Sequence, residues 1–165
     1  MGILTDEMKR VVREQRLGYA ATVCPDGTPN LSPKGTTTIW DDDHLVFAHI
    51  YSPNTVENLK QNSAIEINVV DPLARKGFRF KGSAQVLEDG PEYQQGLEFF
   101  RRMGVATERD GQRRVKAIVV VKVERALPLI SPAYDIGRSE EEVRAEWERY
   151  WEELRRQATT EVPRQ

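Results

Sequence analysis

The sequence predicts a mainly β fold of the α+β class, an antiparallel sheet of six strands that closes or nearly closes into a barrel with helices around it. Three observations point there. From Leu17 to Asp89 short runs of strand formers are broken by turn residues, and Pro25-Asp26-Gly27-Thr28 has the make-up of a hairpin turn. Ala64 to Val70 alternates Ile65, Ile67 and Val69 with Glu66 and Asn68, the period of a strand with one buried face. Ala117 to Val123 is rich in Ile and Val, which suggests burial on both faces.

In chain order, Thr5 caps a short helix in which Met8, Val11 and Val12 recur at helical spacing; it ends before Gly18 and lids one end of the sheet. Tyr19 to Cys24 is the first strand, Pro29 to Trp40 a longer second one, and Leu45 to Ile50, after the Asp41-Asp42-Asp43 turn, the third. Ser52 then caps a helix whose first position is Pro53, where a missing amide hydrogen costs nothing. Ala64 to Val70 is the fourth strand. Phe78 to Leu87 is the fifth, with Phe78 and Phe80 on one face and Arg79 and Lys81 on the other. Gly90-Pro91 opens a helix through Leu97, Phe99 and Phe100, Glu108 to Arg114 is a charged loop turning at Asp110-Gly111, and Ala117 to Val123 completes the sheet. Leu127 to Arg138 is a connector. The capping box Ser139-Glu140-Glu141-Glu142 starts the last helix, 139–157, with Val143, Trp147, Tyr150, Trp151 and Leu154 on one face, and Ala158 to Gln165 reads as a flexible tail.

With 165 residues, 39% hydrophobic and 30% charged, the chain reads as a single soluble domain, 1–165. A net charge of -2 gives no general attraction for nucleic acid or an anionic membrane, and no apolar run approaches the about 20 residues of a membrane span. The N-terminus has no secretory pattern and the lone Cys24 fits a reducing compartment, so the expected location is cytoplasmic. One cysteine and two histidines are too few for a zinc site, and no metal is expected.

Two stretches carry the candidate chemistry. Ser32, Pro33, Lys34 and Gly35 lie in an extended segment whose prolines cannot all join a ladder, so its backbone is open to a ligand. The helix start at Ser52 and Thr55 is a phosphate site by its exposed amides. Arg75, Lys76, Arg79 and Lys81 form the one local basic group in the first half of the chain. His49 stands between strand and helix, as a capping histidine or a proton-transfer group, while His44 beside three aspartates is expected to be exposed. No residue is an evident general acid or base, and no catalytic residue is assigned.

Gly27-Thr28-Pro29 leading into Leu31-Ser32-Pro33-Lys34-Gly35, Leu45-Val46-Phe47 before the helix, Asn58-Leu59 and Asn62-Ser63-Ala64 after it, and Lys81-Gly82-Ser83-Ala84 in the next strand together resemble the pyridoxamine 5'-phosphate oxidase-like family of FMN-binding split barrels. The resemblance implies a six-stranded antiparallel split barrel, here with its core over 17–126. It implies a homodimer with non-covalently bound FMN in a groove at the interface, contacted by Ser32, Pro33, Lys34, Gly35, His49, Ser52, Thr55, Asn58, Arg79 and Lys81. It also implies an oxidoreductase acting on a small molecule. Two departures qualify it. Where the family carries a basic pair this chain has Asn54 and Thr55, so the phosphate's countercharge must come from strand residues; and Ser131 to Gly137 lacks the aromatic and Arg-His segment that grips vitamin B6, so that oxidation is not expected. The alternatives are the deazaflavin F420 on the same fold, or a module that stores or senses a flavin or haem without catalysis. One aromatic of the last helix, or Tyr134, could cover the partner subunit's flavin.

Overall fold

The computed structural model describes residues 2–160. Helix α1 (Asp6–Gln15) starts at Thr5, whose side chain accepts the Met8 amide, and leads into strand β1 (Gly18–Val23). A turn joins β1 to β2 (Pro29–Lys34). There the amide and hydroxyl of Thr28 both donate to Asp26 Oδ1, and Gly27 holds φ +82°, a region costly for residues with a Cβ.

The second expected strand is cut in two. Gly35 to Thr37 turns, and only Thr38–Ile39 returns to the sheet, as β3. Strand β4 (His44–His49), helix α2 (Pro53–Gln61), β5 (Ala64–Asp71), β6 (Lys76–Leu87) and α3 (Gly90–Arg102) follow. The charged loop contains its own small hairpin, β7 (Glu108–Arg109) with β8 (Gln112–Arg113). Strand β9 (Ala117–Ile130) overruns the expected end at Val123, because β6 is long enough to pair with it from Lys76↔Ile130 to Leu87↔Ile118. A 3-10 turn (Pro132–Tyr134) precedes α4 (Glu140–Thr160). Ala158 to Thr160 are thus helical rather than tail, and the rest of the expected tail lies outside the described residues.

All six expected strands are present, and the sheet runs β2-β1-β5-β6-β9-β4-β3 with every neighbour antiparallel. The sheet curls into a half-barrel, and Thr36 Oγ1, just before β3, extends the β3–β4 pairing by accepting the Ala48 amide at 2.9 Å and donating to the Ala48 carbonyl at 3.3 Å. This is a split barrel. A bulge at Lys81/Gly82 sharpens the curl, and a Cβ on Gly82 would lie 1.8 Å from the Lys122 carbonyl oxygen, so only glycine fits.

The barrel interior holds Ala20, Leu45, Phe47, Ile65, Ile67, Val69, Phe80, Val119 and Val121, with Val11 and Val12 of α1 and Val56 and Leu59 of α2. Helix α3 lays Tyr93, Leu97 and Phe100 on Val46, Ala48 and Ile118, the opposite faces of β4 and β9. Those strands are therefore apolar at consecutive residues, as the Ile and Val run required.

Candidate cofactor site

The inner face of the β1–β2 hairpin changes from apolar to polar where it meets α2. Alternation along β2 turns Pro29, Leu31 and Pro33 outward and Asn30, Ser32 and Lys34 inward. Asn30 Nδ2 donates to Thr22 Oγ1 at 3.1 Å and reaches Thr55 Oγ1 at 3.4 Å. Lys34 Nζ donates to Ser32 Oγ at 2.6 Å and to Thr55 Oγ1 at 3.3 Å, and lies 5.8 Å from the Phe47 ring centroid. Ser32 Oγ is 3.2 Å from Ser52 Oγ. The expected cap at Ser52 does not form: its hydroxyl donates to the Tyr51 carbonyl, leaving the first amides of α2 without a side-chain acceptor.

Lys34 is the chemical centre of this cluster. It is 5% exposed, and no carboxylate pairs with it among the described residues. Burial pushes its pKa down to about 8. His49, at the end of β4, is 7% exposed, and its Nδ1 is buried without a partner. Burial, and then the positive charges of Lys34 and Lys116, lower its pKa and keep it neutral. A buried cation among hydroxyls, an uncapped helix start and an orphaned imidazole nitrogen together have the chemistry to hold an anion.

The other expected residues divide. Gly35 is exposed at the turn, with open space where a Cβ would sit, and Pro33 is exposed on the outer face opposite Tyr19. Asn58 is buried and donates to Thr22 Oγ1 at 3.1 Å and to Cys24 Sγ at 3.6 Å, which fixes α2 on the hairpin. Arg79 and Lys81 do not join Lys34. They project from the sheet's outer face, where Arg79 Nε pairs with Glu66 and Lys81 Nζ lies 3.3 Å from Glu66 Oε2. Arg75 stacks on Trp147, its guanidinium carbon 3.4 Å from the ring centroid, and Lys76 is 3.0 Å from Glu140. The basic group is thus dispersed, each member held by a residue distant in sequence. Tyr134 donates to the Ala74 carbonyl and sits under Lys76, so its ring is engaged within its own subunit. His44 pairs with Asp41 in the turn.

Three contributors went unnoticed in the sequence: Thr22, Asn30 and Tyr51. The first two are polar residues at inward positions of the hairpin, a signal that alternation makes visible. Tyr51, 88% exposed beside the helix start, has no sequence signature.

The comparisons agree with this architecture. The family model described as pyridoxamine 5'-phosphate oxidase matches residues 4–127, and the chain belongs to that split-barrel family. Among solved structures, HupZ of Group A Streptococcus is 30% identical with a TM-score of 0.67, covering 78% of this chain and 96% of its own. An FMN-binding protein from Syntrophomonas wolfei (19% identity, TM-score 0.61, 76% of this chain and 85% of its own) shares the fold. So does an F420 reductase (23%, 0.58, 74% and 98%). No curated protein matches. Among the described residues no helix is long and apolar enough to cross a membrane, and no group of side chains could hold a metal ion.

Proposed function

We propose that this chain binds FMN non-covalently along the free edge of β2, between the Gly35–Thr37 turn and the start of α2, and works as a homodimeric oxidoreductase on a small molecule. The carrying observation is Lys34, a buried lysine without a carboxylate among Ser32, Ser52 and Thr55. In this reading the 5'-phosphate lies against Lys34, those hydroxyls and the uncapped amides of α2, with His49 behind it. Lys34 reaches Thr55 from the neighbouring strand, and so restores the charge that the family's basic pair would supply from the helix. The ring's polar edge would take backbone groups of Ser32 to Gly35. Bound flavin would supply the redox chemistry; the protein binds, orients and sets the field. Arg79 and Lys81, already held by Glu66, belong to the surface between subunits rather than to the phosphate.

The test is the visible spectrum of the purified protein, followed by titration of the apoprotein with FMN and with F420. A flavin spectrum and tight FMN uptake, weakened in Lys34→Met, are expected. A protein that takes up neither cofactor overturns the reading, and uptake of F420 alone replaces the cofactor while keeping the site.

A further inference from the structure

Helix α4 is seated on the barrel only by its beginning. Val143 is 1% exposed, Arg144 Nη2 lies 2.7 Å from Asp71 Oδ2, and Trp147 is covered by Arg75. Beyond Trp147 the same face continues through Tyr150, Trp151 and Leu154, all three exposed. At 1.5 Å per residue, Glu148 to Thr160 extends about 20 Å further. The subunit's own contribution there is Pro72 and Leu73, which with Trp151, Leu154 and Arg155 line an open groove.

The sheet presents a second unpartnered apolar face. Tyr19 and Val23 of β1 and Pro29, Leu31 and Pro33 of β2 point outward together, with Ala21 between them. Across the sheet this surface becomes basic: the row Leu31, Ala21, Glu66, Lys81, Arg125 runs over five strands, and Arg125 pairs with no carboxylate among the described residues. The stripe on α4 is flanked by Glu148 and Arg155 on one side and by Glu146 and Glu153, which pair with Arg138 and Arg156, on the other; Glu148 pairs with no cation among the described residues. An apolar stripe whose border carries the unpaired Glu148 thus meets an apolar face whose border carries the unpaired Arg125.

We propose that the Tyr150–Trp151–Leu154 stripe of one protomer packs on the outer face of the β1–β2 hairpin of a second copy, and the reverse, so that α4 straps the dimer. This rests on the homodimer of the reading above and adds the surfaces that form it. Area favours the reciprocal arrangement. Three half-exposed large side chains and their counterpart bury about 600 Å² in one contact, below a stable interface; a two-fold axis makes the contact twice, about 1,200 Å², which reaches it.

The experiment mixes two full-length variants in a Cys24→Ser background, one carrying Leu31→Cys and the other Leu154→Cys, and treats them with a short bismaleimide. Alongside, sedimentation equilibrium is run on the wild type, Leu154→Glu and Leu31→Glu, with FMN uptake read on each. A cross-linked heterodimer is expected only in the mixture of the two cysteine variants, with dimer dissociation constants weakened about tenfold or more by either glutamate. A dimer that gives no such cross-link and ignores Leu154→Glu overturns the strap. So does a wild-type monomer, even one that binds FMN; a cross-linked dimer that takes up no flavin leaves the strap standing and removes the cofactor.

Discussion

Lys34 Nζ donates to Thr55 Oγ1 at 3.3 Å, joining the end of β2 to the first turn of α2 through a bond with no carboxylate behind it. A lysine in this setting carries a burial penalty that its hydroxyl partners offset only in part. An anion placed between the two elements would remove that penalty and raise the lysine's proton affinity. The same residue therefore costs stability without a ligand and, in the proposed site, would contribute most of the affinity for its anion.

Lys34→Met follows from this directly. Losing a charge-assisted bond to phosphate costs about 1.5–3 kcal/mol, so FMN should bind about ten- to a hundredfold more weakly. The unliganded protein should melt no lower, since a buried cation has been replaced by an apolar chain of similar length. Fluorescence titration and thermal unfolding on the same samples check both halves.

The pH dependence has a defined sign. The pKa of Lys34 falls from 10.5 to about 8 on folding, so between those values the unfolded chain holds more protons than the native one. Stability of the apoprotein attributable to this group should rise as pH climbs from about 8 to 10.5, and stay flat below 8. FMN affinity should move the other way, falling above pH 8 as the cation is lost. Affinity that stays level from pH 7 to pH 10 would contradict a charged Lys34 in the site.

The strands and the helices were legible because they rest on local periodicity and on proline and glycine placement, although both prolines of β2 do pair with β1, Pro29 with Val23 and Pro33 with Tyr19. The cut at Gly35 was not, since there the amide and hydroxyl of Thr37 both donate to the Lys34 carbonyl and Thr36 binds Ala48 of the adjacent β4. The basic group misled for a related reason. Arg75, Lys76, Arg79 and Lys81 are close in sequence, yet their partners Trp147, Glu140 and Glu66 come from other elements. Spacing revealed that Arg79 and Lys81 share a face; it could not reveal that Glu66 stands opposite them. Lys34 was named, but its burial depends on α2 closing over the hairpin.

Thr36→Val tests the side-chain extension of the β3–β4 pairing. It keeps the shape while deleting the hydroxyl that serves both polar atoms of Ala48, leaving a half-buried amide and carbonyl unpaired. A loss of about 1–2 kcal/mol is expected, or about 2–6 °C in melting temperature. Because the edge of β2 is also the proposed cofactor groove, FMN uptake should suffer with it. An unchanged melting temperature would show that β3 is held on β4 by other contacts.

The seat of α4 should be acid-sensitive. Burial would raise the pKa of Asp71, but the amides of Ala74 and Leu73 and then the Arg144 guanidinium hold it below the usual carboxylate range; Glu140 is lowered by Lys76 and Arg144. Carboxylates depressed on folding contribute stability that is present above their unfolded pKa values and lost as pH falls through the folded ones. The helix should therefore detach as pH falls below the usual carboxylate range, while the barrel persists. The readout is the Trp147 environment, followed by near-UV circular dichroism, against far-UV ellipticity at strand wavelengths. Arg144→Met should shift that detachment to higher pH. If α4 also straps the dimer, association should weaken over the same interval, whereas a dimer indifferent to the state of this network would place the subunit contact on the sheet alone.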